Sequence, residues 1–380
     1  MNLSLKRICV LMFLTGIMHV SAWSQDKKTT YKDTLDNKLD LSDYVINMHG
    51  FVPYPVIISE PALGNFGGAL ALVFISPKKS IEGDEKFHFP DITAGAGMYT
   101  LNNSWAAGAF RQGSFPSLGL RYQVALAYAD VNMNFYRTLP VLGEKEFLLN
   151  LTPIFVMIDA SKNILKNKYF LGLRYQFSNM KVSYDPGGKI DSVFDINEFD
   201  KNLGSLGLYG EFDSRNSIFT PDKGFRIKTT YNLCRSFTGS DFDTDRLEIY
   251  ANAFFKPTKR LVSGFRAEWL AVGDDAPFYY YPYLIMRGIP AMRYQGKQTL
   301  VIETEQRYDL NLRWSLVGFV GAGKAISGSG NIGDDEWHAA GGAGFRYLVA
   351  RLFKLRMGVD IAAGPDQLAY YIVFGHYWNR

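Results

Sequence analysis

Hydrophobic and polar residues alternate with a period of two over long stretches of this chain. Residues 224–234 have one apolar and one mostly polar face, and residues 246–255 and 354–363 repeat the pattern. In the first stretch the apolar face comprises Phe225, Ile227, Thr229, Tyr231 and Leu233, and the polar face comprises Arg226, Lys228, Thr230, Asn232 and Cys234. Because successive side chains of a strand point to opposite faces, the pattern predicts β-strands that separate an apolar environment from a polar one.

About sixteen such segments follow one another, and many are about ten residues long, the length of a tilted strand that crosses a membrane. Strands of soluble sheets are usually only about five or six residues long. The predicted strands are 52–59, 66–75, 90–100, 104–112, 118–132, 146–158, 168–184, 203–213, 224–236, 243–256, 260–272, 298–309, 312–321, 339–349, 354–363 and 367–378. The division between 130 and 165 leaves fourteen or eighteen strands as alternatives.

No window after residue 22 is apolar for long enough to form a membrane helix. A membrane protein without such helices has to pair its backbone groups in a closed barrel, because lipid offers no hydrogen-bond partner. Aromatic residues make up 15% of the chain and suit the girdles at the two membrane interfaces. The predicted fold is therefore all-β, a transmembrane antiparallel β-barrel of the bacterial outer membrane with about sixteen strands.

Connection lengths support the same fold. With the N-terminus in the periplasm, short joints fall on the periplasmic side and long connections fall outside, as in known outer-membrane barrels. The short joints are 257–259, one near Asn311 and one near Arg351, and the long connections are 185–202, 273–297 and 322–338. Segment 76–89 is an exception, because it is long and this numbering places it in the periplasm.

The N-terminal residues have the features of an export signal. Lys6 and Arg7 precede an apolar run from Ile8 to Val20, and the small residues Ser21 and Ala22 suit a signal peptidase. We expect residues 1–22 to be a signal peptide, residues 23–50 a short periplasmic segment and residues 51–380 the barrel.

The segment 23–50 is far smaller than an ordinary independent domain. Ser42 is placed to cap a helix from Asp43 to about Met48, ended by Gly50. A disordered leader is the alternative.

Charge and cysteine content exclude some functions. Removal of the signal leaves 39 of the 41 Lys and Arg residues against 37 Asp and Glu residues, a net charge of +2. That balance indicates no preference for nucleic acid. Outer-membrane lipids are the expected surroundings of the predicted barrel. Cys234 is then alone and cannot form an internal disulfide.

The stretch from Glu211 to Tyr231 resembles the strand-turn-strand signature of the BamA and TamA family of outer-membrane proteins. That signature is an Asp-x-Arg-Asn run followed by Phe, Pro and Gly. The matching residues are Asp213, Arg215, Asn216, Phe219, Pro221 and Gly224. Pro221 fixes the turn and Gly224 frees the backbone where the next strand starts, while Phe219 is expected at the membrane interface.

Residues 286–310 are similar to the long loop of that family, in which an apolar-Arg-Gly-aromatic tip precedes a strand ending in Glu-x-Arg. Here Ile289 stands at the aromatic position of the tip. The resemblance implies that loop 273–297 folds into the barrel and that its Arg meets acids on the inner wall. The predicted loop tip and wall residues are Arg287, Gly288, Glu303, Glu305 and Arg307. Glu303 and Glu305 are the expected partners of Arg287, which would gain charge-assisted bonds.

Two further features bear on this resemblance. The family commonly has Phe-x-Asp-x-Gly on the following strand, whereas Gly321 stands at the acidic position in this chain. The last predicted strand ends near Trp378 and is similar to the assembly signal of outer-membrane barrels. Full members of the family carry several small periplasmic domains ahead of the barrel, so this chain is similar to a barrel-only branch. The alternative for Arg287 is the tip of a solvated loop.

We expect no enzyme activity, cofactor or metal site. The histidines after the signal are His49, His88, His338 and His376. His376 falls on the lipid-facing phase of the last predicted strand, and no GxSxG elbow accompanies any of them. Residues 328–333 fit G-x-G-x-x-G without the strand-helix unit that a dinucleotide needs. The acidic run 241–245 lacks the Gly and Glu that complete a calcium loop.

Two functions remain. The first is an insertion or translocation barrel for unfolded protein clients, in which a weak seam between the first and last strands, near Ile58 and Tyr371, opens to admit a client strand or lipid. The second is a passive diffusion channel or structural barrel, since about sixteen strands enclose an aqueous lumen. Whether loop 273–297 blocks that lumen distinguishes the two.

Overall fold

The structure is a computed structural model. It describes residues 30–47, 51–58, 63–64, 66–76, 91–139, 143–165, 168–184, 200–328, 336–365 and 367–378. Residues 31–380 form one compact unit. The predicted signal peptide and nearly all of segment 76–89 lie outside the described residues.

The described residues form one short α-helix and sixteen β-strands. The helix α1 spans Ser42–Asn47. The strands are β1 (Phe51–Ile58), β2 (Gly67–Ser76), β3 (Asp91–Thr100), β4 (Trp105–Phe115), β5 (Leu120–Leu139), β6 (Gly143–Leu165), β7 (Tyr169–Tyr184), β8 (Lys201–Asp213), β9 (Gly224–Cys234), β10 (Thr244–Phe255), β11 (Leu261–Val272), β12 (Gln298–Asp309), β13 (Trp314–Ile326), β14 (Trp337–Ala350), β15 (Leu355–Ala363) and β16 (Leu368–Phe374). In this part of the chain no helix has the length and apolar content needed to cross a membrane.

Each strand pairs antiparallel with the next, which gives one sixteen-stranded sheet in sequence order. β1 and β16 lie next to each other, but no ladder of backbone hydrogen bonds joins residues 51–58 to residues 368–374. We call this junction the seam. The structure therefore confirms the predicted antiparallel barrel of sixteen strands, closed everywhere in its hydrogen bonding except at the seam.

The β5–β6 hairpin differs most from the predicted strand bounds. We expected these strands to stop near residue 132 and resume near 146, but their ladder continues to Leu139 and Gly143. Region 130–165 is thus one long hairpin, and the alternatives of fourteen or eighteen strands were wrong. The alternation with apolar neighbours continues through Asn132 and Asn134, so the strand extends beyond its predicted end.

The two faces of the barrel wall have the chemistry that the alternation predicts. On β9, Phe225 and Tyr231 are 39% and 46% exposed, whereas Arg226, Thr230 and Asn232 are buried. The exposed apolar face is the one that lipid covers, and the polar face lines the interior.

The C-terminal end corrects two predictions. β16 ends at Phe374, and Gly375 adopts a φ of +78°, which turns the chain away from the strand direction. His376 and Trp378 are consequently buried, and the carbonyl oxygen of Trp378 accepts a 2.6 Å hydrogen bond from the Tyr250 hydroxyl of the inner wall. His376 is therefore not on the lipid-facing phase, and Trp378 is not part of the last strand.

Candidate functional site

The connection between β11 and β12, residues 273–297, folds back on itself as a narrow loop. A 3-10 helix spans Phe278–Tyr280, and an isolated antiparallel bridge joins Tyr283 to Gln295. Leu284 N–H donates to the Tyr294 carbonyl at 3.0 Å. These bonds bring the two arms of the loop together and place residues 286–293 at its tip.

Arg287 lies at this tip and is fully buried. Its Nη1 donates to Oδ2 of Asp360 on β15 at 2.6 Å, and its Nη2 forms a 2.8 Å ion pair with Oε2 of Glu305 on β12. The guanidinium carbon lies 3.5 Å from the ring centroid of Phe319 on β13. Arg287 thus contacts three strands, and these contacts combine two charge-assisted interactions with a cation–π contact.

Asp360 serves a second arginine. Arg346 on β14 donates to both carboxylate oxygens of Asp360, at 2.5 and 2.9 Å. Two guanidiniums and the two carboxylates of Asp360 and Glu305 therefore balance in charge. Such balance is required in a buried cluster, because removal of one partner leaves an uncompensated buried charge.

Gly288 has a conformation and a location that other residues do not accept. Its φ is +91°, and a Cβ atom there would lie 3.0 Å from the Ala363 carbonyl carbon and from the Gly364 nitrogen. Its N–H donates to the Tyr371 hydroxyl of β16 at 2.9 Å. Glycine therefore lets the loop tip pass close to the backbone that joins β15 to β16.

Apolar side chains hold the loop at two places on the wall. Near the tip, Leu284, Met286 and Ile289 pack in one buried cluster with Val301 of β12 and Ala340 of β14. Near the start of the loop, a second buried cluster contains loop residues and the outer parts of β6 and β7. Its buried members are Phe278, Tyr279, Leu149, Leu151 and Val182. The loop thus contacts well-separated parts of the strand order.

The structure brings together some of the predicted wall residues and not others. Glu305 pairs with Arg287, as described above. Glu303 pairs instead with Arg266 of β11, whose guanidinium also donates to the Ile285 carbonyl of the loop at 3.0 Å. Arg307 pairs with Asp222 and, at 3.1 Å, with Asp309. Arg266 thus supports the loop from a second position on the wall.

The acid that binds Arg287 most closely was missed in the sequence. Gly321 of β13 occupies the position where the family has Asp, and it lies opposite Glu303 in the ladder. A Cβ atom at Gly321 would be 2.4 Å from Cγ of Glu303, so no side chain fits without movement. Asp360 supplies the carboxylate from β15 instead. The signal in the sequence was the position of Asp360 on the polar face of a predicted strand, a face that it shares with Arg356 and Gly358.

The strand-turn motif forms a folded turn between β8 and β9. Arg215 binds the Asp213 carboxylate through two nitrogens at 3.0 and 2.8 Å, and Asn216 Oδ1 accepts from the Asp222 N–H at 3.0 Å. Gly224 has a φ of +113°, and a Cβ atom there would lie 2.5 Å from the Arg215 Cα.

Two other motif residues pack against neighbouring parts of the structure. Pro221 is buried within the turn. Phe219 packs edge-on against Phe374, with ring centroids 6.3 Å apart, so the turn reaches the end of β16. Phe374 is 37% exposed at the end of β16, and the expectation that Phe219 lies at the membrane interface stays a prediction.

The predicted seam residues lie on the two strands that flank the seam. Ile58 ends β1 and pairs with Gly67 of β2, and Tyr371 of β16 pairs with Asp360 of β15. The Tyr371 hydroxyl accepts from Gly288, so this seam strand is in direct contact with the loop tip.

Solved outer-membrane barrels resemble this structure. The structure of BamA from Haemophilus ducreyi lacking POTRA domains 1–3 has a TM-score of 0.56 at 12% identity, covering 85% of this chain and 68% of that chain. CdiB from Escherichia coli has a TM-score of 0.62 at 10% identity, covering 85% and 62% of the two chains. CdiB from Acinetobacter baumannii has a TM-score of 0.53 at 11% identity, covering 85% and 59%. This chain therefore spans less than two thirds of the length of either CdiB chain.

No protein-family model matches the sequence, and no curated protein matches it. At these identities the structural likeness shows the fold. The expected resemblance to BamA-type barrels is confirmed at that level, and the chain has the fold and the location of a bacterial outer-membrane β-barrel of the kind seen in BamA and CdiB.

Proposed function

We propose that this chain is an insertion or translocation barrel for protein clients, and that loop 273–297 folds into the barrel and closes its lumen. The observation that carries the proposal is the burial of Arg287 between carboxylates of β12 and β15. A loop fixed across the lumen would obstruct the free passage of solutes. The likeness of the fold to BamA and CdiB supports the same class of function. No enzymatic reaction is assigned to the chain.

The seam supplies the route for a client. Backbone N–H and C=O groups along the facing edges of β1 and β16 are not joined to each other in a ladder, and such edges accept an added strand. Tyr371 connects the seam to the loop, because its hydroxyl accepts from the Gly288 N–H. Displacement of the loop would remove this bond from β16 and so loosen one side of the seam.

Single-channel conductance of the refolded protein tests whether the loop closes the lumen. We compare the native chain with a variant in which residues 286–295 are replaced by Gly and Ser. Small, flickering currents that become large and steady in the variant support the proposal. The matched control is Phe237→Ser, a residue that is 75% exposed in another connection, and it should leave the currents unchanged. A steady open pore in the native chain would instead indicate a diffusion channel.

A second assay tests the client step. The protein is reconstituted in liposomes, and the folding rate of a urea-unfolded small outer-membrane barrel is followed by its electrophoretic mobility shift. Ile58→Cys and Leu368→Cys, at the outer ends of β1 and β16, are joined by a flexible bifunctional thiol reagent in a Cys234→Ser background. We expect the crosslink to abolish any acceleration of client folding. Acceleration that survives the crosslink would contradict a role for the seam.

A further inference from the structure

The segment before β1 is bound to the periplasmic turns of the barrel through a cluster of charges. Arg313, in the turn between β12 and β13, is surrounded by three aspartates of this segment. Its guanidinium lies 2.7 Å from a carboxylate oxygen of Asp36 and 2.7 Å from one of Asp40, and it also binds Asp33. Arg313 is buried, so the three acids take it out of solvent. We call residues 31–47 the N-terminal clasp.

Each aspartate of the clasp accepts hydrogen bonds both from a nearby backbone N–H group and from Arg313. The Oδ1 atoms of Asp33, Asp36 and Asp40 accept backbone N–H groups two residues further on, at 3.1, 3.1 and 2.7 Å. Their Oδ2 atoms bind Arg313, and Oδ1 of Asp36 also accepts from Arg313 at 2.9 Å. These local turns fix the carboxylates before they meet the arginine, which lowers the entropy cost of binding.

A second periplasmic turn, between β14 and β15, holds the other side of the clasp. Arg351 binds both oxygens of Asp33. Leu41 N–H donates to the Val349 carbonyl at 2.7 Å, and the Leu352 N–H donates to the Ser42 hydroxyl at 3.1 Å. The clasp is therefore joined to the barrel by backbone hydrogen bonds as well as by ion pairs.

The order of the strands places the binding site of the clasp and strand β1 on opposite sides of the seam. The clasp leads along the chain into β1, on one side of the seam. The turns that bind it belong to β12–β15, on the other side, and β16 lies between them and β1. Ser42 is bound on one side of the seam and Phe51 begins β1 on the other, so the chain covalently links the two sides, whose flanking strands share no ladder.

We infer that the N-terminal clasp is a strap across the seam, which holds the periplasmic ends of β1 and β16 together and leaves opening to the outer end. The inference concerns the separation of two strands and does not rest on the proposed transport activity. The strap binds another part of the same chain, because its three carboxylates surround the guanidinium of Arg313.

Spin-label distances test the strap directly, in a Cys234→Ser background. The pair Ser76→Cys and Phe374→Cys reports on the periplasmic side of the seam, and the pair Gly68→Cys and Leu368→Cys reports on the outer side. The clasp is broken by the combined change Asp33→Asn, Asp36→Asn and Asp40→Asn. Asp43→Asn is the matched control, because Asp43 is exposed and lies in the same segment without taking part in the described ion pairs.

We expect the triple variant to gain a periplasmic-side population longer by at least about 5 Å, one inter-strand spacing. The outer-side distance of the triple variant should not change, and both distances should stay at their native values in the Asp43→Asn control. A disulfide between Leu41→Cys and Val349→Cys, formed in the triple variant, should restore the native distance, and a reductant should release it again. An unchanged periplasmic-side distance in the folded triple variant, or an equal increase at both ends, would overturn the inference.

A protease site inserted between Asn47 and Phe51 covers the case in which the triple variant does not fold. The variant with the inserted site keeps the three aspartates and folds with the clasp intact. The protease then cuts only the connection between the clasp and β1. Cutting should lengthen the periplasmic-side distance if the strap acts through this connection. A distance that is the same before and after complete cleavage would also overturn the inference.

Discussion

Asp360 lies 2.6 Å from the Arg287 guanidinium, although the two residues are 73 positions apart and belong to different parts of the barrel. The same carboxylate binds Arg346 through both of its oxygens. One acid on β15 therefore fixes the loop tip to the wall and also ties β15 to β14.

Replacement of Asp360 by Ala should be severely destabilising. It leaves Arg287 and Arg346 buried without their shared carboxylate, and breaking a buried pair costs about 3–5 kcal/mol. We expect a lower midpoint of urea unfolding and larger single-channel currents. The control is Asp274→Ala, because Asp274 is 87% exposed in its pair with Lys297 and such surface pairs contribute only about 0–1 kcal/mol. Equal midpoints for the two variants would show that the Asp360 cluster does not hold the loop.

The strands could be predicted because alternation is a local property. β12 spans the residues that the pattern predicts, and most other strands agree within a few positions. The position of Asp360 on the polar phase could also be predicted. Its pairing with Arg287 could not, since that depends on which part of the wall the loop reaches. For the same reason the sequence near Asp33 does not predict the contact of Asp33 with Arg313, which is 280 positions away.

His376 was misplaced for a different reason. The alternation of β16 was continued through Gly375, but a φ of +78° at this glycine ends the strand. A Cβ atom at Gly375 would lie 2.5 Å from the Phe219 carbonyl oxygen, so the turn depends on close approach of the β8–β9 connection. Periodicity alone cannot show such an approach.

Gly321→Ala should be destabilising by about 1–3 kcal/mol, the usual cost of added volume in a packed site. The new Cβ would lie 2.4 Å from Cγ of Glu303 and 3.0 Å from the Ile302 carbonyl oxygen. Gly318→Ala on the same strand is the matched control, because nothing lies within 4 Å of its Cβ position. Urea unfolding in detergent micelles measures both. If Gly321→Ala unfolds at the same urea concentration as Gly318→Ala, the wall at Glu303 is looser than the structure indicates.

Trp378→Ala should cost about 3–5 kcal/mol, as expected for loss of a large buried aromatic side chain. Trp378 is 2% exposed and packs in a cluster with Tyr250 and Phe254 of the inner wall. Trp337→Ala is the control, since Trp337 is 49% exposed at the start of β14. Thermal unfolding followed by electrophoretic mobility distinguishes the two variants. A small effect of Trp378→Ala, similar to that of Trp337→Ala, would show that Trp378 does not stabilise the inner wall.

Acid should release the N-terminal clasp. The hydrogen bond from Arg351 lowers the pKa of Asp33 from 3.8 to about 2, and Arg313 lowers that of Asp36. Because these pKa values are lower in the bound state, the clasp is fully stabilised above about pH 4 and loses this stabilisation as pH falls towards 2. The charged groups that face these acids are Arg313 and Arg351, which stay protonated throughout.

The spin-label pair at Ser76 and Phe374 measures this release as a function of pH. We expect the longer distance to appear only below about pH 4, and the variant with Asp33, Asp36 and Asp40 changed to Asn to show it at every pH. The Asp43→Asn control should follow the native chain. A transition centred near neutral pH would mean that a group other than these carboxylates governs the clasp, and the assignment of its binding to the Arg313 cluster would be wrong.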